Sequence, residues 1–446
     1  FLVAQFFNPT HNPSLAATAE AQSNEHVHFF VALAYFVPLI GGVLADSFFG
    51  KYRTIFFVSI LYTIGHMILS TSISNIDMFT FGLVVIAIGA GGIKASVAAN
   101  VGDQFDKSNE HLMSKAYGWF YFSINAGSVV STVLIPWIYA NYGAGLAFGV
   151  PGILMAIATF TFWLGRKQYV RVPPSGFKKE NFFFVTIEYF KQLFSNRHGK
   201  TVWEAVGEKY SAKLIDGVRA VFRVMAVFAF IPIFWAMWDM SLAEWVIQAT
   251  KLDLTIFGHV YLPEQIQTVN PFFILACIPL FTYFIYPFFD KIGLKTTPLR
   301  RIGAGLVLTA LSFVIIAMIQ AKIDAGLKPS VWWQILAYLV LSFGEILVSI
   351  TGLEYAYTQA PKAMKSTMNA IWLLTVALGN IFDAYVNNNI TNHGFFAKYT
   401  GASYFWLFVG IISGFIVLYL FVSKSLPEKS YLAGDDEEAA ATGIAP

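Results

Sequence analysis

Glu345 and Lys94 carry charge deep inside apolar runs, Glu345 within Ser342-Phe-Gly-Glu-Ile-Leu-Val-Ser and Lys94 within Gly89-Ala-Gly-Gly-Ile-Lys. A charge in hydrocarbon costs roughly 2.5–3.5 kcal/mol on insertion scales, so each needs a partner, a water-filled cavity or a route to the interface. Glu345 is near the middle of its run, too deep for a short carboxylate to snorkel. It reads either as a protonated or helix-paired structural residue or as a cavity carboxylate that binds a cation or titrates. Lys94 is closer to the end of its run and could snorkel. Against that, Gly89, Gly91 and Gly92 let a neighbouring helix approach closely, which would turn this face toward a bundle interior. Set across one cavity, Lys94 and Glu345 would offer a cation and an anion, a pair suited to a zwitterion.

Other polar residues sit nearer the ends of such runs. Asp239 follows Trp235 by four residues, on the same helical face, and reads as a proton acceptor, as one side of an outer salt-bridge gate, or as an interfacial acid in contact with water. Asp383 has a similar depth and is read as the interfacial kind. His28 opens an apolar run two turns before Tyr35, and an unperturbed His titrates near pH 6.5, so it is the candidate for sensing an external proton. A His at a helix mouth with no such role is the competing reading. Tyr121 and Asn125, at i and i+4, would share a polar face. Glu354 is ambiguous, and His66 and Met67 read as packing. No nucleophile elbow, phosphate loop or metal-ligand cluster is present, and no cofactor is implied.

The elements that must position these groups follow from composition. Of 446 residues, 57% are hydrophobic and 12% charged, against about 25% charged in an average soluble domain. That excludes a secreted disulfide scaffold, a disordered chain and a nucleic-acid binder; Cys277 has no second cysteine to pair with. Apolar runs long enough to cross a bilayer recur at 28–47, 54–73, 78–100, 116–140, 144–164, 220–243, 268–289, 300–320, 332–355, 367–389 and 402–424. The opening Phe1-Leu-Val-Ala-Gln-Phe-Phe is too short to cross and reads as the tail of a twelfth helix. Assigning loops alternately to two sides puts 23 Lys and Arg on one side and 4 on the other. This bias places the 166–219 loop and the C-terminus in the cytosol.

The expected architecture is an all-α membrane protein of two six-helix bundles, the first helix truncated in this chain. Residues 1–165 would form the N-terminal bundle, and 166–219 a cytosolic linker with an amphipathic interfacial helix near Phe182–Phe194. Residues 220–424 would form the C-terminal bundle and 425–446 a cytosolic tail. Two such halves joined by a cytosolic linker is the arrangement of the major facilitator fold, with substrate bound between the halves.

Several segments in order resemble one family within that fold, the proton-coupled oligopeptide transporters. They are Gly41-Gly-Val-Leu-Ala-Asp-Ser-Phe-Phe-Gly-Lys-Tyr-Arg-Thr-Ile, Gly89-Ala-Gly-Gly-Ile-Lys with Gly102-Asp-Gln-Phe-Asp, and Phe120-Tyr-Phe-Ser-Ile-Asn-Ala-Gly-Ser. The second half adds Phe234-Trp-Ala-Met-Trp-Asp, Asn270-Pro-Phe-Phe, and Gly344-Glu-Ile-Leu-Val-Ser-Ile-Thr-Gly-Leu-Glu-Tyr-Ala-Tyr-Thr-Gln-Ala-Pro with Trp372 beyond. The resemblance implies that Lys94 holds a peptide carboxylate and Glu345 its amine. Tyr35, Tyr121, Asn125 and Asn270 would line the cavity, and Trp235 and Trp372 would shape side-chain pockets. His28 and Asp239 would serve proton coupling or gating. Asp46, Gly50 and Arg53 match the family's cytoplasmic loop signature, which locks helices rather than touching substrate.

Two family features are missing from this sequence: the acidic-and-Arg motif of the first helix, and the two extra helices that many bacterial members insert between the halves. The expected function is import of di- and tripeptides with protons across a lipid bilayer, by alternating access and without enzymatic chemistry. A transporter of nitrate or another small metabolite, or a non-transporting receptor with this fold, are the alternatives. The short loop between spans nine and ten points to a bacterial inner membrane.

Overall fold

The structure, a computed structural model, describes residues 2–7, 18–104, 113–171, 173–174, 182–195, 200–359 and 365–426. After a single turn at Leu2–Gln5, five long helices follow: α1 (Ala19–Leu44), α2 (Lys51–Thr71), α3 (Ile76–Gly102), α4 (Met113–Tyr142) and α5 (Ala144–Leu164). The intervening segment holds α6 (Phe182–Leu193) and α7 (Val202–Gly207). Next come α8 (Ala212–Phe228), α9 (Ile231–Asp239), α10 (Glu244–Ala249), α11 (Val269–Leu280), α12 (Tyr286–Lys291) and α13 (Pro298–Asp324). The last helices are α14 (Trp332–Glu345), α15 (Thr351–Thr358), α16 (Lys365–Thr391) and α17 (Ala402–Ser425). A two-stranded hairpin pairs Thr255–Ile256 with His259–Val260.

All eleven expected spans coincide with helices, though not with straight ones. The run 220–243 is two helices, Ala212–Phe228 and Ile231–Ala249, bent by 48°. Pro232 follows the break, where its ring and missing N–H oppose continuation. Three other spans pass through π-helical turns, at Ala45–Phe49, at Phe281–Ile285 and at Ile346–Ile350, the last directly after Glu345. By length and composition, nine helices among the described residues could cross a membrane, or ten with the bent pair. The eleventh span is the 30-residue α4.

One boundary changes the reading of a site residue. Helix α1 begins at Ala19, nine residues before His28, so His28 lies about 13 Å inside the helix at 1.5 Å per residue and not at its mouth. The added turns are polar, with Glu20, Asn24 and Glu25, which is why hydropathy alone does not include them.

Small residues decide how closely the early helices pack. A Cβ on Gly89 would lie 2.7 Å from the Tyr62 backbone nitrogen, one on Gly91 2.6 Å from the Val37 side chain, and one on Gly92 2.8 Å from Val58. Helix α3 is therefore wedged between α1 and α2, as the glycine spacing suggests. The later helices use larger side chains. Their core is filled by Trp245, Phe313, Tyr338, Phe408 and Tyr419, all fully buried or nearly so.

Between Leu164 and α8, helix α6 turns Val185 and Tyr189 inward, with Tyr189 4.4 Å from Trp203 and 5.3 Å from Phe222 between ring centroids. Glu188 accepts hydrogen bonds from Lys209 Nζ and from Gln192 Nε2, both at 2.7 Å, and the Lys209 bond above all holds this carboxyl below the ordinary carboxylate range. Phe183, Ile187, Phe190 and Phe194 occupy the opposite, exposed face.

Candidate binding and gating site

Two groups of polar residues are assembled along the contact between α1 and the later helices. The deeper one contains Lys94, Tyr35, Glu345 and Asn270. The Lys94 ammonium lies 3.8 Å from the Tyr35 ring centroid, a cation–π contact made possible by the glycine seam between α3 and α1. The side chain is exposed, and the ion pairs among the described residues do not include it. The charge of Asp239 reaches both Lys94 and Tyr35, and that of Glu345 reaches Tyr35. Lys94 and Glu345 thus do not pair directly, and Tyr35 lies within the field of both.

Glu345 is half-buried at the point where α14 passes into its π-helical turn. It accepts hydrogen bonds from Trp238 Nε1 at 2.6 Å and from Asn270 Nδ2 at 3.0 Å. Both fall on Oε2, which leaves Oε1 without a hydrogen bond among the described residues. Asn270 Nδ2 is also 3.0 Å from Ser342 Oγ, one turn earlier on α14. Trp235 and Trp372 are nearly buried and form an aromatic group with Trp238, at centroid distances of 5.9 Å and 5.7 Å from Trp235. Trp238, which nothing in the spacing singled out, is the tryptophan that touches Glu345.

The second group lies toward the end of the molecule opposite α6 and is closed to solvent. His28 is fully buried. Its Nε2 is 3.1 Å from both carboxylate oxygens of Glu244, and its Nδ1 is 2.9 Å from Asn380 Oδ1 and 3.7 Å from Asp383 Oδ2. Asn380 Nδ2 donates to Asp239 Oδ2 at 2.5 Å and to the Val376 carbonyl at 3.1 Å, which fixes its Oδ1 as the acceptor facing His28. Gly379 permits this reach, since a Cβ there would lie 2.5 Å from the Pro232 carbonyl oxygen. Glu244 also accepts from Tyr404 OH at 3.1 Å and from Asn387 Nδ2 at 3.4 Å. Nearer the surface, Lys251 pairs with Glu20 at 2.8 Å, and Asn388 Nδ2 donates to Glu25 at 2.7 Å. Each link from His28, Glu20 and Glu25 joins α1 to the later part of the chain, through α10, α16 and the turn at Lys251.

Several expectations change here. Asp239 and Asp383, both open to an interfacial reading, are 4% and 0% exposed, because α1 and α16 pack together over them. Asp239 reaches His28 through Asn380 rather than by an ion pair; the His28 partner is Glu244. Glu244 is not apparent from the sequence because it stands just beyond the apolar run 220–243, at the start of α10. Asn380, Asp383 and Asn387, at i, i+3 and i+7, were a legible polar stripe in an apolar helix.

The loop signature is placed in part. Gly50 adopts φ 77°, and its N–H bonds the Ala45 carbonyl at 2.8 Å, closing the π-helical turn Ala45–Phe49. The helix-locking ion pair is Lys51–Asp103 at 2.8 Å, while Arg53 is exposed. The side chains of Asp46, Tyr121 and Asn125 lie outside the described residues. Glu354 pairs with Arg301 at 3.6 Å, and His66 Nδ1 bonds the Phe148 carbonyl at 2.9 Å, a packing role.

Long apolar helices, a glycine-packed early set and a polar seam against the later set form an all-α membrane protein of the major facilitator fold. A family model described as PTR2, the POT family, matches residues 52–406, and the chain belongs to that family. Solute carrier family 15 member 2 of Homo sapiens is 35% identical over 356 residues, covering 75% of this chain and 49% of that protein. Peptide transporter family 1 of Drosophila melanogaster is 34% identical and covers 67% of this chain and 42% of its own length. The chain therefore spans about half the length of the curated relatives it matches. A solved structure of the POT family transporter PepTSo has a TM-score of 0.87 at 32% identity, covering 95% of this chain and 94% of that one. The protein is an integral, multi-pass membrane protein.

Proposed function

We propose that this protein is a symporter that carries di- and tripeptides with protons across a bilayer by alternating access. The observation that carries the reading is the placement of Lys94 on α3 and Glu345 on α14, in the early and late helix sets, while the far end between those sets is held shut by His28 and Glu244. A zwitterion with its carboxylate at Lys94 and its amine at Glu345 Oε1 would tie the two sets together. A dipeptide or tripeptide extends about 3.3–3.6 Å per residue, so only short chains would engage both charges. Tyr35, Tyr121, Asn125 and Asn270 would line the space between, with Trp235 and Trp372 framing side-chain pockets. His28 and Asp239 would couple proton binding to the outer closure, and Asp46, Gly50 and Arg53 would belong to a lock between helices.

In this reading 1–165 and 220–424 are the two moving bundles, 166–219 the linker between them, and 425–446 a tail. The Lys and Arg bias supports a cytosolic linker and C-terminus. The seven residues 325–331 between α13 and α14 leave no room for a large insertion, which supports a bacterial inner membrane. The driving force is adequate: one charge across 100 mV supplies about 2.3 kcal/mol and one pH unit about 1.4.

The test is uptake of a labelled dipeptide into proteoliposomes under an acid-outside gradient. Proton-driven accumulation is expected. Uptake of another solute instead would point to a different transporter of this fold, and binding without flux to a receptor.

A further inference from the structure

We propose that Asp383 is a second proton-binding site, so that the closed outer end holds two dissociable protons, one on His28 and one on the Asp383 carboxyl. The inference rests on the symport reading for its role in transport, and on geometry alone for the site itself.

The groups that face this site come from six helices: His28 of α1, Lys94 of α3, Asp239 of α9, Glu244 of α10, Asp383 of α16 and Tyr404 of α17. Three carboxylates therefore surround one imidazole in a place closed to water. Both His28 ring nitrogens face acceptors, Glu244 on one side and Asn380 Oδ1 on the other. Only the doubly protonated ring donates to both. That positive charge offsets Glu244, which is further held by Tyr404 and Asn387. Asp239 takes its bond from Asn380 and lies in the field of Lys94.

Asp383 receives nothing comparable. It is fully buried, neither carboxylate oxygen has a hydrogen-bond partner among the described residues, and the nearest cation, His28, is 3.7 Å away with its proton committed to Asn380. An ionised carboxylate without donors in such a place neutralises by binding a proton. Among the described residues no group of three or more His, Cys, Asp or Glu is arranged to hold a metal ion.

A route for it is present. A cavity of about 350 Å³ opens at this end of the molecule, bordered by Glu20, Lys251, Asn24, Gln248, Asn387 and Tyr404, with Glu244 in its wall. Glu244 thus stands between this vestibule and the buried His28. The larger groove, about 400 Å³ between α2 and α5, is apolar: its hydroxyls, Thr63 and Thr159, bond back to their own helix.

Infrared difference spectroscopy on the purified protein tests the site without requiring transport. A protonated carboxyl band lost in Asp383→Asn, with the thermal melting midpoint unchanged, is the expected result, because Asn reproduces a neutral Asp. An unaltered carboxyl region, or a collapse of folding in Asp383→Asn that Asp383→Glu restores, would mean that Asp383 is ionised and would overturn the proposal. Its role is read from dipeptide accumulation in proteoliposomes clamped at zero membrane potential with a one-unit pH gradient. Losing one proton per peptide lowers the accumulation ratio about tenfold. The same ratio in wild type and Asp383→Asn, or a coupling to sodium instead, would remove Asp383 from the coupling. Wild-type dipeptide counterflow, which needs no proton gradient, tests the peptide-transport reading separately.

Discussion

The cluster around His28 and the group around Lys94 and Glu345 use the same kinds of residue under opposite conditions. Around His28 the side chains of Glu244, Asn380, Asn387 and Tyr404 are buried and spend their hydrogen bonds on one another. At mid-depth Lys94 is exposed and rests on a Tyr ring, while Glu345 keeps one oxygen without a donor. Buried polar groups that satisfy each other close a surface, since separating them leaves charges uncompensated in a low dielectric. Accessible groups with spare capacity are ready for a ligand. One contact, α1 against the later helices, thus contains a buried, mutually bonded cluster and a pair of accessible charges, which in the proposed function serve as a lock and a substrate site.

The comparison can be broken or sharpened by substitution. The largest effect is expected from Glu345→Gln, which removes the charge proposed for the peptide amine; about 3 kcal/mol, or roughly a hundredfold loss of free-amine dipeptide uptake, is expected for a charged hydrogen bond. Undiminished accumulation at equal expression would sink the assignment. Lys94→Met should raise KM for a free-carboxylate dipeptide by about 30-fold, near 2 kcal/mol, and change little for a peptide amide. Equal losses for both substrates would show that Lys94 supports the fold rather than the ligand.

His28→Asn tests the lock. With its proton bound when the outer end is closed, wild-type transport should rise as external pH falls through the His range; the variant should lose that response, a change of about tenfold across pH 5–8. A profile identical to wild type would place the coupling elsewhere. The smallest effect belongs to Lys251→Gln at the rim, where both partners of the Glu20 pair are half exposed. Such pairs contribute at most about 1 kcal/mol, so a change above roughly fivefold in transport rate would mean that the rim does more than close loosely.

Much of this was legible before any coordinates. A charge deep in an apolar run must have a reason, and that isolates Lys94 and Glu345. The glycines beside Lys94 announce a close approach that α1 and α2 make. The cluster around His28 was legible only in pieces. In sequence His28 looks like a helix mouth because Ala19–Val27 is too polar to count as span, and Glu244 falls one residue beyond the apolar run 220–243. Asp383 resembled an interfacial acid because depth along a helix does not say what covers it. Trp238 lies three residues from Trp235, and spacing could not say which of them faces Glu345.

What the sequence determined by itself was the solvent and the inventory: apolar length gives the run of membrane-crossing helices, and scarcity of charge makes each buried one informative. The tertiary structure decided which polar groups meet. His28, Glu244 and Asn380 are separated by up to 352 positions, and hydrogen bonds near 3 Å between them exist only because α1 packs across α16 and reaches the start of α10. Hydropathy depends on each residue's own transfer free energy, whereas a lock depends on distances between helices, which no local property of the chain encodes.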